Sequence, residues 1–258
     1  MNLLAAIPTY HSASTLPRVL AALRRLSPEL LVVDDGSTDS TVALATAAGA
    51  RVIALGENLG RGAARDRIMA ESNTPLVLMC DATLEPSPDF LALALPYFAE
   101  PRVAAVFGHV TQPRATTLAE RWRKRHLFKT EPATTPRTDA LLATGVCVLR
   151  AEAVRAVGGF NATLRAGEDA DLGHRLLAAG WQVVADPALR TLCLRHDTAH
   201  EVLLRYARWN SPTGLAPRAF LRQLAYAAKV MMLADLRARD PLAALLSLAS
   251  PFYQLRCR

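Results

Sequence analysis

Two groups of acidic residues stand where side chains could do chemistry. Asp81 ends the apolar run "PLVLMCD", and Glu168 and Asp169 open "EDADLGHRLLAAG", which has helical spacing. A carboxylate at the end of a buried strand suits a cation or sugar hydroxyls, and paired acids suit proton transfer. Carboxylates at the start of a helix are also good caps, and spacing alone favours that role for Glu168 and Asp169.

Composition predicts a globular chain without a membrane span. Of its 258 residues, 51% are hydrophobic, which is ample for a buried core. No apolar run reaches the ~18 residues of a transmembrane helix, and the start "MNLLAAIPTYH" predicts a first strand rather than a signal peptide. The four cysteines form no CxxC pair. We therefore expect reduced thiols and a cytoplasmic location.

The order of apolar segments predicts an α/β fold. Short runs such as "LLAAIP", "ELLVVDD", "ARVIAL" and "PLVLMCD" alternate with helical patterns of about ten residues. This alternation indicates a mostly parallel central sheet with helices on both faces. The segment 111–136 is rich in Pro, Thr and Arg and predicts a long loop or loosely packed insert, and from about residue 201 the pattern is helical only.

Polar side chains follow four of the predicted strands. In a parallel sheet these ends meet at one edge, where ligands bind. Acids there suit ribose, a base or a cation, and arginines suit phosphate. The clusters are Pro8-Thr9-Tyr10, Asp34-Asp35, Asn58 with Arg61 and Arg65, and Asp81.

Two nucleotide-dependent activities are disfavoured by glycine placement. "GENLGRGAARD" has the first two glycines of the GxGxxG fingerprint, but Arg65 replaces the third, which argues against a nicotinamide enzyme. The first turn, "IPTYHSAS", has no glycine, which argues against a nucleotidyltransferase.

Several motifs in one order resemble family 2 glycosyltransferases of the GT-A fold. They are "IPTY", "VVDDGSTDST", "NLGRGAARD", "LVLMCDATLEPSPDFL", "VGGFN" and "GEDADLGHRLLAAGW". The resemblance covers about residues 3–200 and implies one GT-A domain there, with a donor half to about residue 110 and an acceptor half over 111–200. Residues 201–258 would form a C-terminal helical extension.

The resemblance also implies roles for individual residues. Pro8, Tyr10 and Asp35 match positions that hold the nucleotide base, and Arg65 matches an arginine that commonly touches nucleotide. The catalytic pair implied by "GEDADL" consists of Asp169, which matches the base of inverting transfer, and Glu168, which matches an acid placed towards the acceptor.

The family's metal-binding DxD motif is altered. Asp81 matches its first acid, but the second position is Thr83, and a neutral hydroxyl is a poorer ligand for Mg²⁺ or Mn²⁺. Three outcomes stay open: His196 holds the cation with Asp81, Glu85 substitutes for Thr83, or metal binding is weak or absent. We favour the first, with His200 as the fallback.

Basic segments predict an anionic partner. "ERWRKRHLFK" mixes cations with aromatic residues, which suits nucleic acid, but its position past the fifth predicted strand favours a lipid phosphate or an anionic glycan, unless it is simply a solvated helix face. Residues 218–236 place Arg218, Arg222 and Lys229 on one helical face, with Phe220, Leu221, Leu224, Met231 and Met232 opposite. This pattern indicates peripheral helices at the inner face of an anionic membrane, or a cap or dimer interface.

The predicted function is inverting transfer of a sugar from a nucleoside diphosphate sugar, with UDP-sugar favoured, to an acceptor hydroxyl on a lipid-linked or anionic glycan. The alternative is a noncatalytic sugar-nucleotide-binding relative, because the altered motif reads Asp81-Ala82-Thr83.

Overall fold

The computed structural model describes residues 2–128, 135–211 and 215–256. The chain forms two compact units. The first unit contains residues 1–110 and 132–195, and the second contains residues 111–131 and 196–258. The segment after residue 110 is thus grouped with the C-terminal helices.

Within the described residues, eight strands form one sheet in the order β3-β2-β1-β4-β7-β6-β8-β5. The strands are β1 (Leu3–Thr9), β2 (Leu30–Asp34), β3 (Arg51–Ala54), β4 (Leu76–Cys80), β5 (Leu84–Pro86), β6 (Val103–Thr111), β7 (Val146–Arg150) and β8 (Gln182–Cys193). Strands β1 to β4 pair in parallel, whereas the β4–β7, β7–β6 and β8–β5 pairs are antiparallel. The parallel part is thus the half built from the first four predicted strands.

Helices follow most strands. They are α1 (Leu16–Leu26), α2 (Thr41–Ala47), α3 (Arg61–Glu71), α4 (Phe90–Ala94), α5 (Leu118–His126), α6 (Ala151–Ala156), α7 (Glu168–Ala178), α8 (Ala199–Asn210), α9 (Pro217–Tyr226), α10 (Leu233–Arg237) and α11 (Pro241–Arg256). A 3₁₀ turn, Leu95–Ala99, follows α4, and a π-helical turn, Ala227–Met232, joins α9 to α10.

Both faces of the sheet in the first unit are buried. Along β1, Leu3, Ala5 and Ile7 pack into one core cluster and Leu4 and Ala6 into another. Successive side chains of a strand point to opposite faces, so a strand covered on both sides must be apolar throughout. Helix α1 packs in the first cluster and helices α3 and α7 in the second. The predicted mixed α/β fold with helices on both faces is confirmed.

The second unit is helical and has its own core. Trp122 of α5 is fully buried among α8, the π-helical turn and α11, and its Nε1 donates to Oγ of Ser247 at 2.9 Å. The prediction of a loop or loose insert over 111–136 was wrong for 118–126. Helix α5 forms there because the Thr117 hydroxyl caps it and Glu120 completes a capping box. Residues 129–134 lie outside the described part of the chain.

The C-terminal helices contribute to that core. Ala227, Met231 and Ala243 are buried in the same cluster as Trp122. Met231 thus belongs to the unit's own interior, whereas the sequence pattern placed it on a face for lipid. No helix in the described residues is both long and apolar enough to cross a bilayer.

Candidate functional site

A buried arginine joins two acids at the carboxyl edge of the sheet. Arg65, on the second turn of α3, donates from Nη2 to Oδ1 of Asp81 at 2.7 Å, and its Nη1 pairs with Oε1 of Glu168. Asp81 directly follows β4, and Glu168 is the first residue of α7. The structure therefore brings together three predicted site residues that are up to 103 positions apart in sequence.

Burial separates the roles of these three side chains. Arg65 is 1% exposed and Glu168 is 0% exposed, whereas the Asp81 side chain is 30% exposed. Charges removed from water need partners, and Arg65 supplies one to each acid. Only Asp81 offers an open oxygen-bearing surface to a ligand. The contact of Arg65 with nucleotide stays a prediction, since its terminal nitrogens are engaged by carboxylates.

Two polar atoms within this cluster have no hydrogen-bond partner among the described residues. They are Oε2 of Glu168 and Nε of Arg65, both fully buried. Arg61, one turn earlier on α3, has its Nε 3.7 Å from Oε1 of Glu168 and keeps 40% of its side chain exposed. Arg61 therefore extends positive charge from the buried cluster to the surface.

Tight packing sets the position of the loop that leads into α7. Gly62 donates its N–H to the carbonyl of Leu164 at 3.0 Å, and a Cβ at Gly62 would lie 2.3 Å from the carbonyl oxygen of Asn161. Only glycine permits this approach. The "NLGRG" and "VGGFN" segments thus meet, and the start of α7 is held beside α3.

Asp169 lies next to this cluster on the first turn of α7. Its Oδ1 accepts the N–H of Ala170 at 2.9 Å, and the side chain is half-buried. Burial raises the pKa of the nearby Cys147 thiol; Arg65 lowers it, and the charges of Asp81 and Asp169 raise it further. Arg65 and both acids therefore act electrostatically on the Cys147 thiol.

Asp35 organises the loop that precedes α3. Its Oδ1 accepts the N–H of Leu59 at 2.8 Å and its Oδ2 accepts that of Gly60 at 2.9 Å. Gly60 has a φ of 103°, in the left-handed region that favours glycine. In the structure both carboxylate oxygens of Asp35 are thus occupied by backbone, and its predicted contact with the base stays a prediction.

The ends of β1 and β2 also carry unpartnered polar atoms. Oγ1 of Thr9 and Oδ1 of Asp34 are buried without a partner among the described residues, and the two residues are neighbours in the β1–β2 register. The other oxygen of Asp34 accepts the N–H of Ser37 at 2.8 Å. Buried oxygens in need of donors mark this edge as a place where polar ligand groups fit.

Tyr10 provides a flat exposed surface beyond Pro8. Its side chain is 46% exposed and stacks on His11, with ring centroids 4.1 Å apart and planes inclined by 16°. His11 has a φ of 47°, and its Nε2 accepts the N–H of Thr38 at 3.1 Å. This contact fixes the two rings between the turns that follow β1 and β2.

The comparison with known families agrees with this geometry. Residues 5–158 match the sequence model described as glycosyl transferase family 2. The chain belongs to this family. The matched region contains the strand ends, Asp35, Arg65 and Asp81 of this glycosyltransferase and stops before Glu168 and Asp169.

Relatives and structural neighbours of this family 2 glycosyltransferase are known. It is 32% identical over 195 residues to the pre-mycofactocin glycosyltransferase of two Mycobacterium tuberculosis strains. The aligned region covers 70% of this chain but only 40% of those relatives. The mannosyltransferase PcManGT from Pyrobaculum calidifontis, in complex with GDP-Man and Mn²⁺, matches with a TM-score of 0.66 and 19% identity, over 98% of this chain and 84% of that one. S. aureus TarS 1–349 in complex with UDP-GlcNAc matches with a TM-score of 0.61 and 15% identity, over 96% and 91%.

The acidic residues of this site suit a divalent cation in one arrangement, in which the ion is shared with a bound diphosphate. The described residues contain no group of three His, Cys, Asp or Glu side chains placed to hold a metal ion. Glu85, which could have replaced Thr83, lies in β5 and pairs instead with Arg18 at 2.6 Å. Mg²⁺-like ions are often held by one carboxylate plus substrate phosphates. Asp81 suits a cation that arrives with a diphosphate.

The two predicted histidine ligands belong to the second unit. His196 is 88% exposed, and its Nδ1 lies 3.1 Å from Oε1 of the buried Glu120. His200 has its Nδ1 3.0 Å from the hydroxyl of Tyr253. A carboxylate on one ring nitrogen leaves the other available, as in many metal-binding histidines. His196 as a cation ligand stays a prediction.

Two residues at the edge of the site were not identified from sequence. Cys147, in β7, is a buried thiol whose pKa responds to Arg65, Asp81 and Asp169. Arg165 donates from Nη1 to the carbonyl of Asn58 at 2.8 Å and thereby fixes the loop before α3. No local pattern marks Cys147, since it reads as a core residue. Arg165 follows "VGGFN" closely enough that the motif could have identified it.

Proposed function

We propose that this chain transfers a sugar from a nucleoside diphosphate sugar to an acceptor hydroxyl with inversion at the anomeric carbon. One observation carries the proposal. Arg65 joins Asp81, the acid at the end of β4, to Glu168, the residue that begins α7 and precedes Asp169. This contact supports the proposal, because displacement at a single carbon requires the donor-binding acid and the proton acceptor to be held in fixed positions.

The proposed reaction is a single displacement. The acceptor oxygen forms a bond to the anomeric carbon while the bond from that carbon to the diphosphate oxygen breaks. Asp169 accepts the proton of the acceptor hydroxyl, for which its half-buried carboxylate is suited. Glu168, proposed from the family pattern as an acid towards the acceptor, is fully buried and acts as a positioning group for the start of α7.

Negative charge develops on the diphosphate as it leaves. Asp81 would hold a divalent cation there, and a bound cation would neutralise the phosphate oxygens. Mn²⁺ in the PcManGT complex supports this choice. His196 is proposed as a further ligand. Arg61, with its exposed side chain, is the cation of the first unit best placed to assist.

The nucleotide end of the donor would lie on Tyr10 and the turn after β2. An exposed aromatic pair suits stacking with a base. Asp34 has one oxygen without a partner among the described residues, and Asp35 is proposed to contact the base from the family pattern. We favour UDP-sugars. The structural neighbours were solved with GDP-Man and with UDP-GlcNAc, so both bases belong in the test.

The acceptor is proposed to be a lipid-linked or anionic glycan, used by a cytoplasmic enzyme that associates with the inner membrane surface. Free Cys80, Cys147 and Cys193 suit a reducing compartment. The basic residues of α5 do not favour nucleic acid, because Arg121, Arg123 and Arg125 are paired with Asp240, Asp197 and Asp235 respectively.

A donor-binding screen by calorimetry, with UDP- and GDP-sugars and Mn²⁺ present, tests this function. We expect one class of sugar nucleotide to bind, and the protein to turn it over slowly with release of nucleoside diphosphate. Binding without any release would favour the noncatalytic relative, for which Thr83 in place of the second acid is the supporting observation. Absence of binding to every donor would contradict both functions.

A further inference from the structure

We propose that the exposed faces of α9, α10 and α11 form a docking surface for an anionic lipid bilayer. The proposal concerns the second unit alone and stands independently of the sugar-transfer reaction. The residues of this surface differ from the lipid-facing residues predicted from sequence, because part of that predicted face is buried in the core of the second unit.

Large apolar side chains are concentrated on these helices. Nine of the fourteen exposed large hydrophobic residues in the described chain lie between residues 215 and 256. They are Leu221, Tyr226, Val230, Leu233, Leu236, Leu242, Leu245, Phe252 and Leu255. Scattered exposed apolar residues are normal, but a concentration on adjacent helices marks an interaction surface.

Helix α11 separates its two faces clearly. Ala243, Ser247, Ser250 and Gln254 are buried, at spacings of four, three and four residues. Leu242, Leu245, Phe252 and Leu255 are between 41% and 62% exposed and lie on the opposite arc of the helix. The inner face of α11 therefore packs into the core of the second unit. Its outer face is apolar but does not contribute to that core.

Helices α9 and α11 bring their apolar residues side by side. The rings of Phe220 and Phe252 meet edge to face with centroids 5.4 Å apart. This contact places the first turns of α9 against the outer face of α11. Tyr226, 42% exposed, adds a ring with a polar end, of the kind that settles at the interface between lipid and water.

The charge of this region selects an anionic partner. Arg218, Arg222, Lys229, Arg237 and Arg239 are exposed, whereas the two acids of the described segment, Asp235 and Asp240, are buried. Asp235 pairs with Arg125, and Asp240 with Arg121. The accessible charge is thus entirely positive. Apolar side chains flanked by cations match the acyl boundary and head groups of an anionic bilayer.

Vesicle sedimentation tests the proposal with the full chain. The first variant, Leu242→Ser with Leu245→Ser, removes apolar contact, and the second, Arg218→Gln with Arg222→Gln and Lys229→Gln, removes charge. All five side chains are exposed, so both variants should fold. The matched control carries Leu141→Ser, Arg102→Gln and Arg190→Gln, which are exposed in the first unit. Vesicles are phosphatidylcholine with or without phosphatidylglycerol.

We expect binding only with phosphatidylglycerol, weakened by salt. The charge variant should lose roughly 10²-fold in affinity, since each of its three basic residues contributes about fivefold near the membrane surface. The apolar variant should lose roughly tenfold or more, and the control should bind as wild type. Binding of UDP- or GDP-sugars should be equal in all four proteins, which separates this result from that of the proposed function.

Three results would overturn the proposal. One is equal binding to vesicles with and without phosphatidylglycerol, and another is wild-type affinity in both surface variants. The third is a wild-type dimer that Leu242→Ser with Leu245→Ser dissociates, together with no vesicle binding, which would make the surface a contact between copies of this chain.

Discussion

The guanidinium of Arg65 donates to Oδ1 of Asp81 across 2.7 Å while 99% of the arginine is withdrawn from solvent. The same group pairs with Glu168 at the start of α7. A ligand that changes the charge at Asp81 therefore acts on the side chain that holds α7, and Asp169 is the next residue on that helix. Arg65 thus links Asp81, proposed to bind the donor, to the start of the helix that carries the proposed base Asp169.

The buried pair should be strongly coupled in stability. Arg65→Met leaves the charge of Glu168 buried without its cation and should lower the free energy of unfolding by about 3–5 kcal/mol. The double variant, Arg65→Met with Glu168→Met, should lower the free energy of unfolding by less than the sum of the two single variants. In the double variant, neither charge is left buried without the other. Urea unfolding of wild type, both single variants and the double variant gives the coupling energy.

Arg67→Met is the matched control for this cycle. Arg67 is on the same helix, but its ion pair with Glu71 joins an exposed arginine to a half-buried acid. Its loss should cost about 0.3–0.5 kcal/mol. Additive single effects, or an Arg65→Met change as mild as that at Arg67, would show that Arg65 does not hold Glu168.

Cation dependence should reside in Asp81 and not in Thr83. Mn²⁺ should tighten binding of the nucleoside diphosphate. Asp81→Ala should weaken this Mn²⁺ effect by at least roughly 10–100-fold, which is the cost of losing a residue that merely supports a metal ligand. Thr83→Ala should change it little, and Thr83→Asp should strengthen it by adding a charged oxygen. Titration calorimetry with Mn²⁺ and with chelator measures each difference.

Glu85→Gln serves as the control in that titration, because Glu85 pairs with Arg18 and should not affect the cation. His196→Ala tests the second proposed ligand and should weaken the Mn²⁺ effect. If chelator leaves nucleotide binding unchanged in wild type, the cation proposal is wrong, and Arg61 becomes the leading group for the diphosphate charge.

Low pH should destabilise the start of α5 by protonating Glu120. Burial raises the pKa of this carboxyl, but the N–H groups of Thr117 and Thr116 and the ring of His196 lower it to about 2. Because the folded pKa lies below the ordinary value of 4.5, the stabilisation is complete above pH 4.5 and is lost as pH falls towards 2. Loss of a cap costs about 1 kcal/mol, or ~2–4 °C in Tm.

The comparison variant is Glu120→Gln, which cannot ionise. Its Tm should lie below that of wild type at pH 6, and the difference should shrink as the pH is lowered from 4.5 to 2.5. Thermal unfolding followed by circular dichroism measures both. A constant difference across that range would show that the Glu120 charge contributes nothing to the folded state.

The parallel half of the fold was predictable because its physics is local. Strands β1, β2 and β4 are buried on both faces, which makes them uninterrupted apolar runs that end in polar turns. The second half was harder, since antiparallel strands carry weaker signals. Strand β8, for example, alternates between buried and more exposed positions along much of its length.

Helix α5 was missed although its signal is present. Thr117 and Glu120 form a capping box of the S/T-x-x-E type, but the high content of Pro, Thr and Arg around them outweighed it. Its arginines read as a free basic face, whereas Arg123 is 1% exposed and bound to Asp197. Sequence shows that charges exist but not which distant charges they meet.

The same limit applies at the site. The motifs identified Arg65, Asp81 and Glu168 individually, and no pattern could show that a buried guanidinium joins them across 103 positions. The unpartnered oxygens of Thr9 and Asp34 likewise depend on strand register, which sequence leaves open.

Asp169→Asn tests the central claim most directly. The variant keeps the shape of the side chain and its contact with the N–H of Ala170 but cannot accept the proton. With the donor identified by the binding screen, we measure nucleoside diphosphate release and donor affinity for wild type, Asp169→Asn and the control Asp171→Asn, whose carboxylate on the same helix turn pairs with Arg175. We predict that Asp169→Asn lowers turnover by roughly 10²–10⁴-fold with near-normal donor affinity, and that Asp171→Asn turns over near the wild-type rate. Near-normal turnover by Asp169→Asn, or an equal loss in both variants, would contradict the assignment of Asp169 as the base.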